Sequence, residues 1–407
     1  MPTADLHERL REALNQPARP GGQPRAESVT ELSDLSGLGG RWFRSGDGPG
    51  YVIESVYDAG HSHGNVVLHR ALSVDPARLA GQCRDERLAA CKSRDFLYVD
   101  TETTGLGGAG VMVFLAGVAR FEGSQLKLRQ FLLPSPQYEG GLLGGLAAEL
   151  RTAAALVSYN GKSFDLPMLE ARYILNRTRP TFRQLPHLDL LHPNRRLFKG
   201  SFESHRLSVM EQELLGFERE QDCPSREVPE RYFRFQRTGD PTYILPVLRH
   251  NAWDVLSLVA LAAHLADVCE SDAFPLQAAR AAEYRGDQAA AVRHYEAAIA
   301  ADLNRAQRLE AIEHAARCCR QLGRFQEAAR WWEALLKEPR ARRILPYVEL
   351  AKLREHKLGD IPGAIEPVGK AIDLVRRGLL RQGRPGSEVT LDALLLRHAR
   401  LLARSAR

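Results

Sequence analysis

After Ser271-Asp272-Ala273-Phe274-Pro275 the chain contains no strand-like run, and small residues recur around three glycines. Gly286, Gly323 and Gly359 stand 37 and 36 residues apart. Eight positions before each is an alanine (Ala278, Ala315, Ala351), and five after is another (Ala291, Ala328, Ala364). Nine after come Tyr295, Trp332 and Val368; twelve after, Ala298, Leu335 and Ala371. Glycine turns the chain through φ values that other residues rarely adopt, and alanines let two helices cross closely. One such helix pair cannot bury its apolar face alone, so the period predicts a stack of helix-turn-helix units. The expected division is an all-α helical repeat domain over 275–407, with every strand before it.

The first 270 residues read differently. Residues 1–40 are rich in Pro, Gly, Arg and Ser and predict a flexible leader. Residues 41–94 predict an extension that packs on the domain after it: Gly50–Tyr57 alternates as a strand and Leu79–Lys92 reads as a short helix. Between them, His61-Ser62-His63-Gly64 reads as a turn between strands, since no third metal ligand lies nearby. Over 95–270, strands are expected at Phe96–Asp100, Val111–Phe121, Leu126–Leu133 and Ala155–Tyr159, and helices at Leu142–Thr152, Asp165–Asn176 and Tyr243–Val268. This order describes an α/β domain, a mixed β-sheet flanked by helices.

No run of about 18 apolar residues occurs, and Met1–Leu10 has no apolar core, so neither a membrane span nor a secretory signal is expected. Six cysteines without CxxC spacing read as reduced thiols of a cytoplasmic protein, not as a disulfide or zinc framework. The formal charge is +6. Residues 275–407 hold 25 Lys/Arg against 16 Asp/Glu, a balance of +9, and the rest of the chain balances at −3. The positive excess suits a nucleic-acid partner.

Three short segments carry candidate chemistry. In Asp100-Thr101-Glu102, two acids two apart at the end of an apolar strand point to one side of a sheet. Buried like charges are costly unless a cation lies between them. In Asn160-Gly161-Lys162-Ser163-Phe164-Asp165 a strand breaks and Asp165 opens a helix, where in isolation it reads as a cap. In His250-Asn251-Ala252-Trp253-Asp254, the His and Asp share one helix face. Asp189, in His187-Leu188-Asp189-Leu190-Leu191, is a further acid near a strand end.

The order Asp-x-Glu, then Asn-x-x-x-Phe-Asp, then His-x-x-x-Asp resembles the motifs of DEDD 3′–5′ exonucleases, which have an RNase H-like fold. Gly107-Gly108-Ala109-Gly110 and the run from Leu185 to Asp254 extend the likeness to the YprB-like bacterial branch with C-terminal TPR-like repeats, over about residues 45–265. The resemblance implies a metal-dependent nuclease acting on a 3′ end of DNA or RNA. It implies two divalent cations, Mg²⁺ or Mn²⁺, held by Asp100, Glu102, Asp165 and Asp254, with His250 beside the attacking water. Thr103, Asn160 and Lys162 are the expected substrate contacts. His250 departs from the better-known branches, where this spacing holds Tyr or the His stands one residue further away. A structure-specific endonuclease, or a degenerate module that binds nucleic acid or protein through its repeats, would share the sequence pattern.

Overall fold

The computed structural model describes residues 35–105, 110–178, 182–338, 343–384 and 387–406. The expected leader falls outside them as far as residue 34, as do Gly107, Gly108 and Ala109. The last residues assigned to the leader are tied down: Leu35 and Leu38 are buried, and the Tyr51 hydroxyl donates to the Leu35 carbonyl at 2.9 Å.

Among the described residues the main sheet has seven strands in the order β1-β2-β7-β6-β5-β8-β9. They are β1 (Arg41–Ser45), β2 (Gly48–Tyr57), β5 (Phe96–Thr103), β6 (Val113–Glu122), β7 (Gln125–Leu132), β8 (Ala155–Ser158) and β9 (His187–Asp189), with β3 (Ser62–His63) and β4 (Val66–Val67) forming a separate small hairpin. Thus β1 and β2 do more than pack on the domain; they extend its sheet along β7. The β6–β7 hairpin closes over Gly123-Ser124, with Gly123 at φ 66°, as a two-residue loop requires. Strand β5 pairs antiparallel with β6 and parallel with β8, and β8 parallel with β9, so the sheet is mixed and β5 is central.

The pleat divides the core. Phe96 and Tyr98 face one apolar cluster, closed by helices α1 (Pro76–Cys83) and α4 (Leu191–Leu197). Leu97 and Val99 face a second, closed by α2 (Glu139–Thr152), α3 (Asp165–Leu175) and α5 (Val228–Thr238). Helix α6 (Pro241–Val268) joins the two: Ile244, Val247 and Leu248 belong to the second cluster, and Val255 to Val268 to the first. It is long and apolar enough to cross a membrane, yet two thirds of its most apolar stretch is buried here as a core helix. The helix expected over Leu79–Lys92 is broken. Arg84, at φ 55°, ends α1, and Asp85 then caps a 3₁₀ turn, Glu86–Ala90.

From Pro275 on, the described residues form three helical hairpins and a last helix: α7 (Pro275–Arg285) with α8 (Gln288–Ala300), α9 (Arg305–Gln321) with α10 (Phe325–Lys337), α11 (Leu345–Leu353) with α12 (Ile361–Arg376), then α13 (Leu391–Ser405). Gly286, Gly323 and Gly359 turn each pair with φ between 69° and 84°. The repeated Ala, Tyr295, Trp332, Val368 and Leu335 positions are all buried. Cys318 and Cys319 are core residues with free thiols.

Helix α13 is fastened by Glu355, whose side chain is fully buried and pairs with Arg397 at 3.4 Å, Arg400 at 2.8 Å and Arg404 at 2.5 Å. Glu355→Ala should loosen α13 by about 2–3 kcal/mol, below the usual range for breaking a buried ion pair because Arg400 and Arg404 are half exposed. Hydrogen exchange over Leu391–Ser405 reads this directly; unchanged protection would mean that apolar packing alone holds the helix.

Candidate active site

The carboxyl half of β5 places Asp100 and Glu102 on the same sheet face as Phe96 and Tyr98. Three strands lie in register there: Asp100 opposite Gly117, and Gly117 opposite Gln130. Asn251 of α6 sits over this row. Its amide donates to Asp100 Oδ2 at 2.8 Å, while Gln130 donates to Asn251 Oδ1 at 2.9 Å and to the Leu248 carbonyl at 2.7 Å. A Cβ on Gly117 would stand 2.1 Å from Asn251 Oδ1, so glycine is what admits the amide.

Asp165 reaches the same place from the start of α3. It makes no cap; its Oδ1 accepts from Thr101 N at 3.1 Å and Thr101 Oγ1 at 2.5 Å. The loop before it is held by Asp189, whose oxygens accept from the backbone amides of Asn160 (2.7 Å), Lys162 (3.0 Å) and Leu191 (3.2 Å). Asn160 takes φ 65° to make this turn. Asp189 is thereby committed to the backbone. Thr103 is buried and its hydroxyl donates to the Gly105 carbonyl at 2.7 Å, whereas the Asn160 and Lys162 side chains are exposed.

Helix α6 supplies His250 and Asp254, one turn apart. His250 Nε2 lies 3.9 Å from Glu102 Oε1 and 3.5 Å from Asp254 Oδ2. Its Nδ1 lies 2.7 Å from Asp222 Oδ1 and 3.1 Å from Arg219 Nη1. An ionised carboxylate can only accept, so the shorter contact assigns a proton to Nδ1 and turns Nε2 toward the acids. Arg219 is the cation of the site: it holds Glu211 through two bonds (2.6 and 2.7 Å), Asp222 at 3.2 Å, and Asp254. Burial opposes its charge, and Asp254 with Glu211 more than offsets that and raises its pKa. Asp222 is likewise opposed by burial, yet His250 and Arg219 hold it below the usual carboxylate range.

The network continues to the N-terminal extension. Glu211 accepts from Ser257 Oγ at 2.5 Å, and Ser257 Oγ lies 2.7 Å from His63 Nε2. Burial holds His63 to a pKa of about 3, so it is a neutral partner. The expected turn is present at Gly64, but His63 is a buried link and not a surface histidine.

The electrostatics of the four acids are those of an incompletely neutralised cluster. Burial, then Asp254, Asp165 and Glu102, push the Asp100 carboxyl well above its ordinary range, although the Asn251 bond opposes this. Burial, then Asp254 and Asp165, do the same to Glu102. Burial lifts Asp165 to about 6 against its Thr101 bonds. Oxygens of Glu102 and Asp254 and a nitrogen of His250 lie within 4.8 Å of one another, close enough to share one metal ion. Arg219 occupies Asp254 Oδ1 and leaves Oδ2 toward Glu102 and His250, so the donor set fits a divalent cation. The sequence pattern did not mark Asn251, Glu211, Arg219 and Asp222 as participants, although Asn251 stands beside His250 and all four lie within the run from Leu185 to Asp254 that carries the likeness.

Residues 97–266 match a family model described as RNase_H superfamily. Over 319 residues the chain is 33% identical to the Bacillus subtilis (strain 168) protein named Uncharacterized protein YprB, covering 75% of this chain and 74% of the relative. The family model spans the strands and helices that carry the acids, and the alignment to the relative reaches well beyond them: the chain belongs to the family of YprB and carries an RNase H superfamily domain over residues 97–266.

Proposed function

We propose that this protein is a metal-dependent nuclease, a 3′–5′ exonuclease on DNA or RNA that hydrolyses phosphodiesters at a two-cation DEDD centre. The observation that carries this reading is the convergence of Asp100, Glu102, Asp165 and Asp254 from a central strand and two helices, with Asp100, Glu102 and Asp165 raised by burial and the first two also by the charges of the other acids. A cation removes the source of that repulsion. Oxygen donors favour Mg²⁺ or Mn²⁺, and Glu102 and Asp254 offer them side by side, with the His250 imidazole left for the water. When bound, such ions stabilise charge at phosphorus and acidify a water.

The chain's own part is positional. Asn251 and Gln130 orient Asp100; Thr101 orients Asp165; Arg219 neutralises one oxygen of Asp254. Asp222 keeps the proton of His250 on Nδ1, so Nε2 can accept a proton from the attacking water. Residues 95–270 form the nuclease unit, with 41–94 completing its sheet. Residues 275–407 are TPR-like repeats that serve as a scaffold for nucleic acid or a protein partner. The free thiols suit a cytoplasmic setting.

End-labelled single-stranded DNA and RNA with Mg²⁺ or Mn²⁺ test the reading: laddering from the 3′ end is expected, and internal fragments from the outset would replace it with an endonuclease. Mn²⁺ at about a hundred times its Kd should add about 2.7 kcal/mol of stability. Asp100→Asn, which keeps an acceptor for Asn251, should lose both this gain and activity while melting at or above wild type without metal.

His250→Ala should lower turnover by about 10²–10⁴ with little change in Mn²⁺ affinity. Loss of metal binding instead would make the imidazole a ligand.

The pH dependence has a definite sign. Asp165 is raised from an ordinary value near 4 to about 6, so the folded state holds a proton that the unfolded state has released. Metal-free stability should therefore fall as pH rises from about 4 to about 6, with Asp100 and Glu102 contributing in the same direction. A urea midpoint that rises over this interval would contradict the buried cluster.

A further inference from the structure

The junction between the nuclease unit and the first helical hairpin holds a positively charged cleft. Tyr284, at the end of α7, lies beneath two guanidinium groups: Arg196 of α4 at 3.4 Å from the ring centre, and Arg84, just past α1, at 4.4 Å. Arg285 lies across α1 at Gly81, where a Cβ would stand 2.4 Å from its Cγ. Arg196 is anchored by bonds to the Gln82 carbonyl (2.9 Å) and Oε1 (2.8 Å). The cleft, lined by Arg84, Tyr284, Arg285 and the exposed acid Glu86, has a volume of about 340 Å³.

These three arginines are under-neutralised. The nearest acid pairing is Arg285 with Glu270 at 4.0 Å, and Glu270 is shared with Arg78 at 3.2 Å. Arg196 Nε and Arg285 Nη1 are buried without a hydrogen-bond partner. Burial, with Arg84 nearby, holds Arg196 below its ordinary range. Cations held this close want an anion, as the clustered acids want a cation.

The cleft lies on the same side of the sheet as the acid site. Lys162, three residues before Asp165, acts electrostatically on Cys83 and Asp85 on either side of Arg84. The helices that carry the arginines, α1 and α4, cover the sheet face that bears Asp100. Guanidiniums gathered around a half-buried tyrosine suit a single-stranded chain, with phosphates on the guanidiniums and a base stacked on the aromatic or guanidinium plane.

Building on the nuclease reading, we propose that the Arg84–Tyr284–Arg285 cleft binds the phosphodiester backbone of single-stranded nucleic acid leading to the acid site. The first helical hairpin is thus part of the substrate surface, through Tyr284 and Arg285.

Fluorescence anisotropy of the full chain with a labelled 20-nucleotide single strand, in EDTA so that nothing is cleaved, tests this. Arg84→Glu, at an exposed position, should weaken binding about tenfold and lower the slope of log Kd against log salt by about 0.7 for each phosphate no longer neutralised. Tyr284→Ala should weaken it about fivefold or more, because a base would have no ring to stack on. Arg151→Glu, an exposed reversal on α2 across the sheet, should match wild type. Arg84→Glu binding as wild type, Arg151→Glu weakening as much as Arg84→Glu, or wild type failing to bind would each overturn the proposal. Should Tyr284→Ala fail to fold, Arg84→Glu decides alone. The measurement needs no metal, so a wild type that binds through the cleft but never cleaves would sink the nuclease reading and leave the cleft standing.

Discussion

Mutual repulsion among Asp100, Glu102, Asp165 and Asp254 is the constraint around which the nuclease unit is arranged. Each of three carboxylates is held by a neighbour that limits its escape. Asn251 fixes Asp100, Thr101 fixes Asp165, and Arg219 fixes Asp254. Relaxation by side-chain rotation would break these bonds, and relaxation by backbone movement would disturb a strand with apolar clusters on both faces. The cluster is therefore kept at the cost of raised carboxyl pKa values, the condition that a divalent cation relieves.

Arg219 connects this cluster to parts of the chain far from it in sequence. Through Glu211 and Ser257 it is bonded to His63, and the β3–β4 hairpin carrying His63 is packed against the helical turn Glu211–Leu215. The Asn65 amide donates to the Leu215 carbonyl at 2.6 Å, and a Cβ on Gly64 would stand 2.1 Å from that oxygen. The His63 ring lies 3.9 Å from that of Phe217. The segment before residue 95 thus both lengthens the sheet and shapes the surroundings of Asp254.

The helical region is joined to the nuclease unit by packing as well as by chain. Arg280 of α7 is buried and donates to the Leu197 carbonyl at 2.6 Å and the Lys199 carbonyl at 3.2 Å, capping the end of α4. Ala281 belongs to the same apolar cluster as Phe96 and Tyr98. This packing brings Tyr284 and Arg285 to the acid-bearing side of the sheet.

Much of this was legible in the residue order. The glycine period of 286, 323 and 359 marked where helices turn, because backbone freedom is a property of the residue itself. The apolar run before Asp100 marked the central strand, and two acids two apart share a face in any strand. The break in the Leu79–Lys92 helix was not legible: Arg84 in a left-handed conformation has no sequence signature. Nor was the division of labour between Asp165 and Asp189, both acids beside strand ends, which depends on which one meets Thr101 and which meets the amides of the 160–162 loop. Local periodicity is written in neighbouring residues, so sequence alone determined the elements and the candidate acids. The pairing of Arg219 with Asp254, of Asp222 with His250, and of Arg84 and Arg196 with Tyr284 was decided only by tertiary structure, because a salt bridge or a stacked ring depends on distance in space and leaves no period along the chain.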